Sequence, residues 1–165
     1  MGTNSSLLAT PYSMALDLAN NLCISNRNNN RIQKYLAGSL TGSTIAGQSN
    51  GIGGSILNDL NFPADVELDS SGNVYIVDSH NHRVLYWTIG SSSGMIVTSV
   101  AGTSNSQLDT PYGIVHDWNS SIFYVTDQNN HRVMSYLSNS TVGTVVAGNN
   151  GQRSSIGNLF GFIIK

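Results

Sequence analysis

A six-residue motif occurs three times in this chain, and this repetition constrains the fold more than any other feature of the sequence. The motif reads DSHNHR at residues 78–83, DQNNHR at residues 127–132 and, in a degraded copy, NRNNNR at residues 26–31. A period of about 50 residues indicates one supersecondary unit copied in tandem. The architecture is therefore predicted to be a repeat fold, which by itself does not define an activity.

Further matching positions surround the motif and define the repeated unit. Each of the three prolines, Pro11, Pro63 and Pro111, lies at the same place ahead of a motif copy, and each unit ends in an Ala-Gly pair. The predicted organisation is a lead-in at residues 1–7, units at residues 8–47, 60–102 and 108–148, connecting loops at residues 48–59 and 103–107, and an incomplete fourth unit at residues 149–165.

Each unit is predicted to contain four short β-strands. The apolar runs are rich in Val, Ile and Tyr and are bounded by Gly, Asn, Asp and Ser. Residues 74–77 and 84–87 show no polar face, so burial on both faces is expected. Such sheets occur where blades stack radially. The predicted fold class is all-β: a partial, open β-propeller with three four-stranded blades and the first strand of a fourth.

The end of the chain repeats the beginning of a unit. Residues 156–163 align with residues 108–115, with Leu159 in the place of the proline. Propellers need about four to eight blades to close a ring. We therefore expect a fragment of a longer protein, with the remaining blades supplied by the same or another chain. The open flanks are expected to expose Met14, Leu22, Ile24 and Ile32 on the first blade, and Ile122, Tyr124, Val133 and Tyr136 on the third.

The pattern Asp-x-x-Asn-His-Arg after an apolar strand, with the upstream proline and the downstream Ala-Gly pair, resembles the NHL repeat. The resemblance spans about residues 8–165. It implies a β-propeller, commonly a six-bladed one, but no single activity. Settings of the family include RNA- or protein-binding domains of ubiquitin ligases, extracellular modules and an amidating lyase. Gluconolactonase-like enzymes resemble it more distantly.

The polar residues of the motif are interpreted as structural, because catalytic residues occur once whereas these recur in every unit. The Asp at the head of the motif is expected to accept turn N–H groups, and the Asn at its fourth position to adopt a left-handed conformation. The structural set comprises Asn26, Asn29, Arg31, Asp78, Asn81, His82, Arg83, Asp127, Asn130, His131 and Arg132.

No catalytic residue, metal ligand or cofactor is predicted. His80 and His82 superficially resemble a metal motif, but His82 is matched by His131 and is therefore a repeat residue. His116 ends a first strand, where side chains line the central channel of a propeller. One channel-facing histidine does not make a metal site.

Charge argues against a nucleic-acid partner. The chain has seven Lys and Arg against nine Asp and Glu, and the motif accounts for three of the arginines. A propeller that binds single-stranded RNA needs a basic face to neutralise phosphates. The chain contains no run of eighteen apolar residues, so no transmembrane helix is predicted. Its single cysteine, Cys23, leaves the cellular compartment undetermined.

The connecting loops and the motif turns are expected to share one face of the propeller. Loops on a rigid scaffold commonly carry binding sites. The candidate binding residues on this face are Tyr12, Arg27, His80, Tyr112 and Asn129. The sequence thus predicts a non-catalytic scaffold for a protein or a small polar ligand. The alternatives are part of a metal-dependent lyase or lactonase-like enzyme, and an RNA-binding propeller as in NHL-containing ubiquitin ligases.

Two Asn-x-Ser/Thr sequons fall in predicted loops, where glycan acceptors are expected. They begin at Asn119 and Asn139. The sequence is so rich in Asn, Ser and Thr that such triplets also arise by chance.

Overall fold

The computed structural model describes residues 4, 7–98, 101–138 and 140–148. Within these residues the chain is all-β, with three four-stranded antiparallel sheets. Blade 1 contains β1 (Pro11–Leu16), β2 (Leu22–Asn26), β3 (Arg31–Tyr35) and β4 (Gly42–Gly47); blade 2 contains β5 (Pro63–Leu68), β6 (Val74–Asp78), β7 (Arg83–Trp87) and β8 (Met95–Thr98); blade 3 contains β9 (Pro111–Asp117), β10 (Ile122–Asp127), β11 (Arg132–Leu137) and β12 (Thr144–Gly148).

The predicted four strands of each of the three blades and their order are confirmed. The predicted first strand of a fourth blade, within residues 149–165, lies outside the described residues. In each sheet the strands lie in chain order, and each of the three prolines begins the first strand of its blade. Proline is tolerated there because a strand's first residue can lack a ladder hydrogen bond. The turn after each first strand is organised by an aspartate. Asp69 Oδ1, for example, accepts the N–H groups of Ser71 and Asn73 at 2.9 and 2.8 Å.

The blades stack around a common centre, as in a propeller. The first strands β1, β5 and β9 lie side by side, with β5 in contact with both of the others. One apolar core lies between blades 1 and 2, and a second lies between blades 2 and 3. In β6, Ile76 belongs to the first core and Val77 to the second. The middle blade is therefore buried on both faces, as the missing alternation in its sequence predicted.

The outer blades have one face each that no described blade covers. Met14 on blade 1 is 60% exposed, and Val115 on blade 3 is 40% exposed. Ile24, which was predicted to be exposed on the flank of blade 1, is only 8% exposed. Two further residues were assigned to the wrong face. Ile32 is buried against blade 2, and Tyr136 is buried on the side of blade 3 that faces blade 2. The strand alternation explains the error for Tyr136, since it shares a face with buried Met134 rather than with Val133.

The motif forms a tight turn between the second and third strands of each blade. In blades 1 and 2 its second to fourth residues make one turn of 3₁₀ helix, Arg27–Asn29 and Ser79–Asn81. The left-handed residue is the fifth one, with φ of 49° at Asn30, 52° at His82 and 51° at His131. The prediction of a left-handed fourth residue (Asn29, Asn81, Asn130) was therefore wrong. The reversal follows the 3₁₀ turn, because the fifth residue's N–H closes it on the second residue's carbonyl.

A buried ion pair holds the motif turn of blade 2 together. Arg83 Nε donates to Asp78 Oδ2 at 2.7 Å, and the Asp78 side chain is fully buried. Asp78 Oδ1 accepts the N–H of Asn61, and Asn81 Nδ2 donates to both Asp78 Oδ2 and the carbonyl of Gly54. The remaining Arg83 nitrogens donate to loop carbonyls, those of Ser55, Ile56 and Asp59.

Blade 3 repeats this network. Arg132 Nε donates to Asp127 Oδ2 at 2.7 Å, and Asp127 Oδ1 accepts the N–H of Asp109. Asn130 Nδ2 donates to Asp127 Oδ2 and to the carbonyl of Gly102. The other Arg132 nitrogens bind the carbonyls of Thr103, Ser104 and Gln107. In blades 2 and 3, then, the motif turn fixes the loop that leads into that same blade.

Blade 1 lacks the carboxylate of this network. Asn26 occupies its place and still accepts the N–H of Ala9 at 2.7 Å. Arg31 is almost fully buried and donates to carbonyl groups, including that of Ser49 at 2.6 Å. Burial lowers the pKa of Arg31, since no buried carboxylate of the motif offsets its desolvation. This is the physical consequence of the degraded motif.

The fifth motif residue links neighbouring blades. Asn30 Oδ1 accepts the N–H of Phe62 at 2.9 Å, and His82 Nδ1 accepts the N–H of Thr110 at 3.0 Å. Both donors immediately precede the proline of the next blade. His82 Nδ1 also lies 3.2 Å from Asp109 Oδ1.

The glycine of the Ala-Gly pair in blade 1 has a steric reason. Gly47 has φ of 78°, and a Cβ atom there would lie 2.5 Å from the carbonyl oxygen of Asn30. Glycine alone tolerates both conditions.

No helix in the described ranges is long and apolar enough to span a lipid bilayer.

Replacement of one member of the buried ion pair is expected to destabilise the fold strongly. Asp78→Ala leaves Arg83 buried without its carboxylate and should cost about 3–5 kcal/mol. Lys34→Met removes a partly exposed ion pair with Asp17 and should cost less than about 1 kcal/mol. Urea denaturation of both variants measures the difference. Equal losses would contradict the assigned role of the motif turn.

The uncovered blade faces are expected to make the 165-residue chain self-associate. Light scattering after size-exclusion chromatography should give a mass above 17.6 kDa. The double variant Tyr124→Lys/Val133→Lys places charges on the free face of blade 3 and should reduce association. Leu40→Lys is the control, because Leu40 is 89% exposed in a turn outside both flanks. A stable wild-type monomer at high concentration would refute the expectation.

Candidate functional site

Three of the candidate binding residues meet at the mouth of the central groove. Tyr12 lies on β1, Tyr112 on β9 and Arg27 in the motif turn of blade 1. The hydroxyl groups of Tyr12 and Tyr112 form a short hydrogen bond across the first strand of blade 2. Their rings meet edge to face, with centroids 5.2 Å apart. Residues one hundred positions apart in sequence thus form one contact.

Arg27 lies against aromatic rings. Its guanidinium carbon is 4.9 Å from the ring centroid of Tyr12, 5.5 Å from that of Tyr112 and 5.8 Å from that of Phe62. Its Nη1 donates to the Tyr112 hydroxyl oxygen at 3.1 Å. These distances are those of cation–π contacts, which are stronger where water is partly excluded.

Phe62 and His80 extend the site onto blade 2. Their rings stack with centroids 4.5 Å apart and an interplanar angle of 25°. Burial, followed by the charge of Arg27, lowers the pKa of His80 and favours the neutral imidazole. The residues Tyr12, Arg27, Phe62, His80 and Tyr112 are termed the arginine–aromatic cluster below.

Phe62 was missed by the sequence analysis, although a signal was present. It occupies the position immediately before the blade's proline, where the other two blades have Thr10 and Thr110. An aromatic residue in place of threonine at a repeat position, on the face already identified, marks a departure from the repeat.

A buried carboxylate supports the cluster from below. Asp65 on β5 accepts a short hydrogen bond from the Ser13 hydroxyl on β1, and its Oδ2 accepts the N–H of Ile114 on β9 at 2.9 Å. It therefore connects the three first strands one residue below the two tyrosines. The other two blades have no aspartate at this position, which Ser13 occupies in blade 1 and Gly113 in blade 3.

The hydrogen bonds of Asn129 do not connect it to this cluster. Its Nδ2 donates to Asp109 Oδ1 at 3.2 Å and to Thr110 Oγ1 at 3.0 Å. It occupies the motif position of His80, one blade further along. The sequence analysis grouped five residues because they were expected on one face. In the structure all of them except Asn129 join Phe62 in the cluster.

The protonation states of the cluster follow from its surroundings. Burial, together with the hydrogen bond and charge of Tyr112, raises the pKa of Tyr12 to about 12, despite the opposing effect of Arg27. The phenol is therefore neutral at physiological pH, and because its hydrogen is donated to Tyr112, its oxygen remains available as an acceptor. In the described part of the chain, no carboxylate lies within ion-pairing distance of Arg27.

The groove beneath the cluster has a volume of about 400 Å³ and runs between the three first strands to His116. His116 is 8% exposed, its Nε2 lies 3.2 Å from Ser138 Oγ, and its ring packs 3.6 Å from that of Trp118. Its Nδ1 is buried without a hydrogen-bond partner. Among the described residues no three His, Cys, Asp or Glu side chains are grouped so that they could hold a metal ion.

The remaining candidate residues lie in turns. The recurring motif residues form the turn networks of the three blades. Asn119 lies exposed in the turn between β9 and β10, where its N–H donates to Asp117 Oδ1 at 3.0 Å. Asn139 lies outside the described residues.

Comparison with known proteins identifies the repeat. The family model described as "NHL repeat" matches residues 60–85, from the residues ahead of β5 into β7. Blade 2 is an NHL repeat. A search of curated proteins found no match for this NHL-containing chain.

Solved structures share the propeller fold. A nidogen/laminin complex chain is similar over 85% of this chain and 49% of its own length, with a TM-score of 0.66 and 19% identity. An auxiliary nutrient-binding protein from Bacteroides thetaiotaomicron matches over 82% and 35%, with a TM-score of 0.61 and 14% identity. A virginiamycin B lyase from Staphylococcus aureus matches over 82% and 39%, with a TM-score of 0.54 and 15% identity. The NHL-containing chain thus spans half or less of the length of these structures.

The buried His116 is expected to make stability depend on pH. Burial lowers its pKa below 6.5, although Asp117 and Asp69 oppose the shift. The unfolded chain then takes up the proton first as the pH falls. The stability that neutral His116 contributes is complete above about pH 6.5 and is lost as the pH falls through that value toward its lowered pKa.

Urea midpoints at about pH 7.5 and 5.5 measure this effect. Wild type should lose more stability across this interval than His116→Gln, which has no proton to gain. His80→Gln serves as the comparison for a more exposed histidine whose pKa is also lowered. An identical loss in wild type and His116→Gln would contradict the assignment.

Proposed function

We propose that this chain is part of a non-catalytic propeller scaffold that binds a protein or a small polar ligand on its loop face, through the arginine–aromatic cluster. The remaining blades, on this proposal, come from the same or another chain. The observation that carries it is that blades 1, 2 and 3 each contribute to one contact group. Its members are not shared by all three blades, since blade 2 has Ala64 at the position of Tyr12 and Tyr112, and Ser79 at the position of Arg27.

The repeat residues already have a structural task, which separates them from the cluster. Arg83 and Arg132 bind aspartates and loop carbonyls inside their own blades. Arg27 and the tyrosines make no such loop-fixing contacts in the described residues. Side chains that the fold does not require, gathered on a partly exposed surface, are the ones available to a ligand.

Propellers of this shape occur in binding and in catalytic settings. The similar structures include a nidogen/laminin complex and a nutrient-binding protein, and also the virginiamycin B lyase and a streptogramin B lyase. At identities under 20% these support the fold and not the activity. The lyase or lactonase alternative requires catalytic groups in the central groove, and His116 is the groove residue that would serve it.

The proposal predicts that ligand binding follows the cluster and not the groove. For any ligand captured by the 165-residue chain, Tyr112→Ala should weaken binding by about tenfold or more, since aromatic anchors dominate binding energies. His116→Gln and Leu18→Ser, which change the groove end and an exposed turn residue, should leave it unchanged. Isothermal titration measures all three.

Three outcomes would overturn the proposal. Loss of binding in His116→Gln with full binding in Tyr112→Ala would place the site in the groove. Turnover of a lactone or a cyclic depsipeptide in the presence of a divalent cation would favour the enzyme. Sub-micromolar binding of single-stranded RNA at about 0.15 M salt, with a steep salt dependence, would favour the RNA-binding alternative.

A further inference from the structure

The Arg27 guanidinium has unused hydrogen-bonding capacity. An arginine side chain carries five N–H donors in a fixed fork. Of these, one Nη1 donor is used, toward Tyr112, and Nε is buried without a partner. Nη2 has no hydrogen bond within the described residues and is not buried. Two Nη2 donors and the second Nη1 donor therefore have no partner among the described residues.

Arg27 also differs from the other described cations in its charge environment. Arg83 and Arg132 pair with Asp78 and Asp127, and Lys34 pairs with Asp17. Arg31 is buried among backbone carbonyls. In the ranges that the structure describes, Arg27 alone of these side chains has neither a carboxylate nor a carbonyl as its partner, and aromatic rings surround it instead.

The rings make this unpaired charge suited to an anion. Their centroids lie 4.9 to 5.8 Å from the guanidinium carbon, and a new partner can use the free donors, which lie in the guanidinium plane. A planar carboxylate matches two parallel N–H donors. Tyr12 is 45% exposed, and its hydroxyl oxygen, whose one hydrogen is donated to Tyr112, can accept a hydrogen bond from an N–H group of the ligand.

We propose that the arginine–aromatic cluster recognises an acidic side chain, Asp or Glu, on an exposed segment of a partner protein, with Arg27 as its anchor. This inference rests on the proposed function and names its ligand chemistry. A protein segment is favoured over a free small molecule because the cluster is an open surface, whereas small ligands need pockets that bury most of their area. The neutral polar rim, with His80 and Asn129 exposed, suits a peptide backbone.

The test uses the 165-residue chain and two capped hexapeptides, one with two central glutamates and one with glutamines in their place. Side-chain NMR of the arginine Nε–H groups follows binding at Arg27. We expect the glutamate peptide to shift the Arg27 resonance saturably, and the glutamine peptide to bind about tenfold more weakly or worse, because charge-assisted hydrogen bonds are about twice as strong as neutral ones. Arg27→Met should abolish the difference between the peptides.

Matched variants separate the anchor from general charge. Lys34→Met removes one positive charge, as Arg27→Met does, but at the ion pair with Asp17, and should leave peptide discrimination intact. Arg27→Lys keeps the charge but loses the fork, and should retain only part of the discrimination.

The outcomes distinguish this inference from the proposed function. Equal binding of both peptides, lost in Tyr112→Ala but kept in Arg27→Met, would overturn the acidic-ligand inference while the loop-face binding function stands. Glutarate that binds as tightly as the glutamate peptide would overturn the assignment to a protein segment. Peptide binding that Lys34→Met weakens as much as Arg27→Met would also overturn the inference, since it would reflect general charge.

Discussion

The buried aspartate–arginine pair of the motif turn is the interaction on which the rest of the structure depends. A buried charge is costly unless it is paired and hydrogen-bonded. In blades 2 and 3 both the aspartate and the arginine of the pair have further hydrogen-bond partners. The aspartate accepts from the arginine, the motif asparagine and the leading loop, and the arginine in turn binds that loop's carbonyls. A connection rich in Gly, Ser and Asn, which could not fold by itself, thereby acquires a fixed path.

This fixed path determines how one blade meets the next. The fifth motif residue accepts the N–H group just ahead of the next blade's proline, through Asn30 in blade 1 and His82 in blade 2. Asparagine and histidine both tolerate the left-handed conformation at this position and both offer a side-chain acceptor at similar reach. The substitution between copies preserves the physical role, which explains why a degraded motif still supports a regular blade.

The cluster at the groove mouth is a product of the blade arrangement and not of the repeat. Asp65 holds β1 and β9 against β5, and Tyr12 and Tyr112, one repeat position earlier in those two strands, meet across the first strand of blade 2. Arg27 packs on their rings from the motif turn of blade 1. Unlike Arg83 and Arg132, which pair with motif aspartates, it has no carboxylate partner in the described residues.

The sequence by itself determined the strand order, the blade number in the described residues and the burial of the middle blade, because these follow from local periodicity copied at a fixed spacing. It also placed Tyr12, Arg27 and Tyr112 on one face. Tertiary structure alone decided that these three touch, that Phe62 and His80 join them and that Asn129 does not, because those contacts connect different blades. Strand alternation, visible in sequence, did not show which face of Tyr136 or Ile32 a neighbour would cover. The left-handed residue fell at the fifth motif position because the 3₁₀ turn closes there, a backbone constraint that residue preference alone does not specify.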